Sequence, residues 1–120
     1  MKITIKEILE TVGPLQALCN ESLPVKAKYW LSRDLARLQT AKDAFEKSRN
    51  ELIAKHGEKQ EDGNFAVKAD GPGYKAFLAD IEALLTIEED VELHPQPLEA
   101  LGNGTIRADL SKLQRLITEV

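Results

Sequence analysis

The sequence predicts a mainly α-helical protein that folds as a single domain over residues 1–120. Residues 24–56 contain no glycine and no proline after Pro24, and apolar side chains recur at helical spacing before, within and after this stretch. The expected architecture is a long central helix that forms an antiparallel hairpin with a third helix. Short N- and C-terminal helices flank this hairpin, and a small β element is an open alternative.

Composition indicates a globular chain. The apolar fraction is 42% and the charged fraction 30%, and a chain of 120 residues can bury a core without disulfide or metal. Cys19 is the single cysteine, which excludes an intramolecular disulfide and favours a cytoplasmic location. The charged N-terminus is unlike a signal peptide, and no apolar run approaches the ~20 residues that span a bilayer. We therefore expect no membrane partner.

The N-terminal segment, residues 3–20, has helical apolar spacing interrupted by Gly13 and Pro14. Because proline cannot donate to the preceding turn, the segment is expected to form two short helices, the second opened by Pro14. Alternation of polar and apolar residues from Lys2 to Ile5 allows a very short strand there.

The long helix is predicted over residues 24–56, with Ser22 as N-cap and a length of roughly 50 Å. Four apolar residues recur every seventh position: Leu31, Leu38, Phe45 and Leu52. The intervening heptad positions are assigned to Leu35, Lys42, Arg49 and His56. This pattern predicts a half-apolar seam that suits a hairpin packed on one side, with the long basic side chains reaching its edge.

Charge is distributed unevenly along the chain. Residues 24–56 hold eight basic and four acidic side chains, a net charge of +4. Because the whole chain has a net charge of −4, the other residues together carry −8. This separation indicates charge-complementary packing, within the monomer or between copies, or else an ordinary solvated helix.

Gly57 is expected to end the long helix in the left-handed conformation. Residues 58–73 form a polar connector, read as a hairpin of short strands around Phe65 or as a loop. Pro72 is expected to open the third helix, capped by Asp70 or Gly71. Its amphipathic stripe comprises Tyr74, Phe77, Leu78, Ile81, Leu84 and Leu85.

The C-terminal third is predicted to contain a short strand, a turn and a final short helix. Acidic residues 88–90 end the third helix, and a short strand follows at residues 91–94, stopped by Pro95. Residues 102–104 form a turn. A final short helix is expected to carry Leu110, Leu113, Leu116 and Ile117.

Several stretches are similar to a family of small proteins encoded by tailed bacteriophages and prophages. They are LPVKAKYWLSR at 23–33, AFEKSRNELIAKHGE at 44–58, DGN at 62–64, EDVEL at 89–93, LEAL at 98–101 and ADL at 108–110. The resemblance implies a phage or prophage origin, a helical hairpin with a small extended element, and a location in the host cytoplasm or the virion. It implies no catalytic residues. Gly13-Pro14 and residues 70–73 depart from the family pattern.

No arrangement of residues predicts catalysis, a metal or a cofactor. Cys19 lies among apolar residues, as a buried structural cysteine would. His56 and His94 lack a second histidine or cysteine at ligand spacing. A weak cation site of His94 with Glu89 and Glu92 is disfavoured against a structural strand end, and no phosphate-binding motif occurs.

Ten residues are candidates for partner binding. The start of the long helix mixes cations with large aromatic rings: Lys26, Lys28, Tyr29, Trp30, Arg33 and Arg37. The acidic candidates are Glu88, Glu89, Asp90 and Glu92. Trp, Tyr and Arg are enriched at binding hot spots, and the same mixture stacks on nucleic acid bases. The structural alternative has Tyr29 and Trp30 packed beneath the first two helices.

These observations predict a non-enzymatic, phage-encoded protein that works by protein–protein interaction or assembly, with a homo-oligomer as one form. The alternatives are an inhibitor of a host defence complex, with the acidic residues occupying a basic channel, and a nucleic-acid-binding module. The net charge of −4 disfavours nucleic acid.

Overall fold

The computed structural model describes residues 2–102, 110, 111, 113 and 115–118. Three helices dominate: α1 (Ile5–Cys19), α2 (Val25–His56) and α3 (Tyr74–Leu85). The short strands are β1 (Lys2–Thr4), β2 (Glu58–Lys59), β3 (Phe65–Ala66), β4 (Glu88–Asp90), β5 (Gln96–Pro97) and β6 (Ile117–Thr118), and a 3₁₀ turn covers Leu98–Leu101. The prediction of a mainly helical chain with a small β element is confirmed. Across the described residues, no helix combines the length and apolarity needed to cross a membrane.

The long helix is uninterrupted and begins one residue later than predicted, with Pro24 at the N-cap and no side-chain cap. Its buried residues are Ala27, Leu31, Asp34, Leu38, Ala41 and Phe45. We call these six buried residues the seam. The predicted heptad column is therefore confirmed at Leu31, Leu38 and Phe45, whereas Leu52 is only partly covered.

The second column of the seam was predicted wrongly. It contains Ala27, Asp34 and Ala41 instead of the predicted residues, which are only partly covered: Leu35, Lys42, Arg49 and His56. Both assignments satisfy a heptad, because positions three and four residues from a leucine flank it equally. Small alanines allow α1 to approach closely, whereas long basic side chains would separate the two helices.

Helix α1 is one continuous helix, so the predicted pair of short helices is wrong. It runs through Pro14 and buries Ile8, Val12, Leu15 and Leu18 along one face. A proline inside a helix costs about 3 kcal/mol, and fully burying each large apolar side chain returns about 1.5–3 kcal/mol. Burial on both sides of Pro14 therefore outweighs the local break. Gly13 helps, because it has no Cβ to collide with the proline ring that follows.

The core lies between α1 and the first half of α2, and the C-terminal residues close it. Leu113, Leu116 and Ile117 are buried, with Ile117 in β6 parallel to β5. The Gln96 backbone N–H donates to the Leu116 carbonyl at 2.7 Å. The predicted final helix is therefore wrong over its described residues, which form turns and a strand. The predicted turn at 102–104 lies outside the described residues beyond Gly102.

Strand β1, allowed for in the sequence, pairs antiparallel with β4, where Ile3 lies opposite Glu89. The acidic residues 88–90 themselves form this strand, so the strand predicted at residues 91–94 is misplaced by a few residues. Ile3 reaches the core at 1% exposure. The connector contains the short hairpin of β2 and β3, with Glu58 opposite Ala66.

Helix α3 meets the far end of α2. His56 Nε2 lies 2.8 Å from Asp80 Oδ2 across this contact. The helix begins at Tyr74 with Gly73 as N-cap, rather than at Pro72 with Asp70 or Gly71 as cap. None of its residues is fully buried, and α1 is the main packing partner of α2. The antiparallel hairpin of α2 and α3 therefore stays a prediction.

Gly57 ends α2 as predicted, but with extended backbone (φ −95°, ψ 177°) rather than in the left-handed region. The chain measures 54 × 29 × 20 Å with a radius of gyration of 17.7 Å. A compact chain of this length would have a radius of gyration of about 14 Å. The length of α2 therefore makes the protein elongated.

Gly73→Ala tests the contact between α2 and α3. A Cβ at position 73 would collide with the His56 carbonyl oxygen. We expect the free energy of unfolding, measured in urea, to fall by more than about 1 kcal/mol. Pro72→Ala, at the exposed neighbouring position, is the control and should change it by no more than about 1 kcal/mol. Equal effects of the two substitutions would show that α3 is not seated against His56.

Candidate interaction surface

The face of α2 opposite the seam is exposed and partly apolar. Val25, Tyr29, Ser32 and Ala36 follow each other at helical spacing, so they share one face. Val25 is 85% exposed and Tyr29 53% exposed. A shallow open groove runs along this face, and we call its lining residues the groove face: Leu23, Val25, Lys28, Tyr29, Ser32, Arg33 and Ala36.

Cations border the apolar stripe on both sides. At 100° per residue, Lys28 falls on one flank and Arg33 on the other, and Lys26 lies one heptad before Arg33 on the same flank. Lys26, Lys28 and Arg33 are all exposed. Their positive charge therefore reaches solvent beside the apolar side chains.

Arg33 fixes the tyrosine ring. Its Nη1 donates to the Tyr29 hydroxyl at 3.3 Å, and its guanidinium carbon lies 5.9 Å from the ring centroids of both Tyr29 and Trp30. Each such cation–π contact contributes about 0.5–1 kcal/mol at an exposed site. The ring is thus held in place before any partner arrives, which lowers the entropy lost on binding.

Trp30 is structural as well as close to the surface. Its ring packs on the His94 ring at 4.3 Å between centroids, and meets Tyr29 edge-on at 5.1 Å. Trp30 is half-buried, and Tyr29 is exposed instead of lying beneath the first two helices. Of the two predicted aromatic contacts, Tyr29 is therefore the one open to a partner.

Asp34 anchors the segment around His94 to the back of α2. Its carboxylate is fully buried, and both of its oxygens accept the His94 backbone N–H, at 3.0 and 3.2 Å. Burial raises the pKa of Asp34, and the hydrogen bond from His94 and the charges of Arg37 and Arg33 oppose this rise. The buried carboxylate thus joins two chain segments 60 residues apart.

Arg37 and Glu92, predicted in two separate patches, bind each other. Arg37 Nη1 donates to the Glu92 carbonyl at 2.6 Å, and Nη2 lies 3.9 Å from the Glu92 carboxylate. His94 Nε2 lies 3.6 Å from the same carboxylate. These residues hold the chain together beside the Asp34 anchor, so we assign them a positioning role.

The other acidic candidates lie in β4. Glu88 and Asp90 are exposed, whereas Glu89 is half-buried and lines a small cleft with Ile5 and Phe45. Pairing with β1 fixes this strand. The structure therefore divides the ten predicted residues into the groove-face group, the positioning group around Glu92, and this acidic strand.

Sequence reasoning identified Lys28, Tyr29 and Arg33 but missed Val25 and Ala36. Both residues lie at helical spacing on the side of α2 opposite the seam, and this spacing can be read from the sequence. It identifies an exposed face only once the buried face of α2 is known, because alanine and valine are found both on surfaces and in cores.

The thiol and imidazoles occupy structural positions. Cys19 is buried as expected, and burial raises the pKa of its thiol, while a hydrogen bond with Ser32 opposes the rise. A higher pKa leaves less of the reactive thiolate. Within the part of the chain that the structure describes, no three His, Cys, Asp or Glu side chains come together as metal ligands would.

Comparison of the chain with protein-family models, curated proteins and solved structures gives no match.

Asp34→Asn tests the electrostatics of the anchor, because asparagine keeps an acceptor for the His94 N–H and cannot titrate. Since the pKa of Asp34 is raised in the folded chain, its stabilising contribution is complete below the unfolded value of about 3.9 and is lost as pH rises through the folded value. The free energy of unfolding of the natural chain, minus that of the variant, should therefore decrease with rising pH across this window and then become constant.

Urea unfolding at a series of pH values, followed by Trp30 fluorescence, gives this difference. The other carboxylates are present in both proteins, so their contributions cancel. A difference that stays flat, or rises with pH, would contradict the buried position of Asp34.

Proposed function

We propose that this chain is a non-enzymatic protein that binds another protein through the groove face of α2. The observation that carries the proposal is the exposure of Val25 and Tyr29, at 85% and 53%, on a helix whose opposite face forms the core. Large apolar side chains that remain exposed beside a folded core mark interaction sites when they lie together. Leu23, Tyr29 and Val25 lie together in the groove.

The residue types and their order support the same function. Tyrosine and arginine are among the residue types that most often dominate binding energy. Tyr29 is already oriented by Arg33, so few rotatable bonds are lost when a partner covers it. Burial of its ring and of Val25 supplies affinity, and the surrounding cations supply orientation.

The origin and setting of the protein belong to this proposal. The resemblance of 23–33 and 44–58 to phage-encoded proteins suggests a phage assembly or interaction protein in the host cytoplasm or virion. An antiparallel hairpin of α2 with α3 is part of the same proposal, and the His56–Asp80 contact of 2.8 Å supports it. A coiled-coil homo-oligomer through the seam has less support, because α1 already covers the seam.

Inhibition of a host complex is the second candidate. Strand pairing holds residues 88–90 in an extended row, and Glu88 and Asp90 are exposed residues. A fixed acidic row is the feature that a basic channel would bind. This candidate predicts that Glu88→Lys weakens binding to the partner and that Tyr29→Ala leaves it unchanged.

Site-specific photo-crosslinking tests the leading proposal. A benzophenone amino acid is placed at Ala36, on the groove face, or at Asn50, which is exposed on the same side of α2 fourteen residues later. In cells that naturally produce the chain, we expect one dominant protein adduct from position 36. That adduct should be lost when Tyr29→Ala is added, because the tyrosine ring supplies buried area.

Position 50 is the matched control and should give no such adduct. Adducts of equal yield from both positions would mean that contact with α2 is unspecific. If circular dichroism shows that the chain is folded and position 36 still gives no adduct, binding through the groove face is refuted.

A further inference from the structure

We infer that the occupant of the groove face is an acidic amphipathic α-helix of the partner protein. This inference rests on the proposed function and names the chemistry of the partner. It follows from the shape of the groove, from the placement of its cations, and from the position of its apolar residues.

The shape of the groove suits a helix lying along α2. From Val25 to Ala36 the stripe covers eleven residue steps, or about 16 Å, which equals three helical turns. Ser32 and Ala36 are small, so a second helix can approach closely at that end. The other end of the groove is lined by three large side chains, which can fit between apolar side chains of the partner: Leu23, Val25 and Tyr29.

The cations determine the chemistry of the partner at its edges. Lys28 borders one side of the stripe, and Arg33 and Lys26 border the other. The acid in this part of α2, Asp34, is buried on the opposite side. A helix that packs its apolar stripe on Val25 and Tyr29 therefore meets positive charge along both edges, and acidic residues there complement it.

The free energies of the two kinds of contact indicate what each contributes to binding. An exposed ion pair contributes about 0.2–1 kcal/mol, whereas fully burying a side chain such as valine contributes about 1.5–3 kcal/mol. Affinity should therefore depend mainly on Val25 and Tyr29, and the cations should select acidic over basic helices. This arrangement disfavours nucleic acid, since the centre of the groove is apolar and its cations lie at the rim.

A fluorescence titration tests the inference, with Trp30 as an internal reporter 5.1 Å from the Tyr29 ring. The probe is an end-blocked, tryptophan-free helical peptide of four turns, with leucine along one stripe and glutamate on both flanks. We expect saturable binding that Tyr29→Ala weakens at least about tenfold. The same peptide with lysine in place of glutamate should bind at least about tenfold more weakly.

Charge reversal supplies the matched controls. Lys28→Glu combined with Arg33→Glu should weaken binding of the glutamate peptide at least about tenfold. Lys47→Glu, an exposed change on the same helix but outside the groove face, should leave binding within about twofold, as expected for a distant surface charge. Urea unfolding of each variant establishes that the fold is retained.

Several outcomes would overturn the inference. They are equal binding of the lysine peptide, no binding at about millimolar peptide, and tighter binding of a single-stranded oligonucleotide that the double reversal abolishes. Self-association of the natural chain, lost in Tyr29→Ala, would assign the groove to a second copy instead.

Mapping the adduct from position 36 separates the two claims. An adduct on an acidic amphipathic helix supports both. An adduct on a basic or non-helical segment of the partner refutes the acidic helix and leaves the proposed function standing.

Discussion

Burial of the seam of α2 against α1 determines how the other elements of the fold are placed. Leu31 and Leu38 are completely covered, and Ala27 gives α1 room to approach. Each fully buried leucine contributes about 1.5–3 kcal/mol. Because the buried residues repeat every seven positions, they fix the rotation of α2 about its axis. That rotation places Asp34 inside the protein and Val25 in solvent.

The Asp34 anchor connects the core with the surface. On the buried side of α2, its carboxylate holds the His94 backbone, and the His94 ring then supports Trp30. Trp30 in turn backs Tyr29, which Arg33 orients from the outside. A chain of contacts therefore runs from the seam to the groove face, so the surface is positioned by the same packing that stabilises the fold.

Sequence patterns predicted the elements whose signals are local. The extent of α2, its end at Gly57 and the helical nature of residues 74–85 followed from spacing and from helix-breaking residues. The predictions that were wrong concern features that depend on contacts between distant parts of the chain. Continuity of α1 through Pro14 depends on burial against α2, and the inward position of Asp34 depends on a donor 60 residues away.

For the candidate surface, too, some residues could be predicted from local sequence and others only from the fold. Residue type alone pointed to Tyr29 and Arg33, whereas Val25 and Ala36 required knowledge of which face is buried. Trp30, Arg37 and Glu92 also have contacts within the fold, which residue type alone does not indicate.

Unfolding of Ala27→Leu and Ala36→Leu in urea tests which face of α2 is buried. Overpacking at Ala27 should cost about 1–3 kcal/mol, and the change at exposed Ala36 should stay within about 0.5 kcal/mol. Equal or reversed effects would show that α2 does not bury the face that contains Ala27.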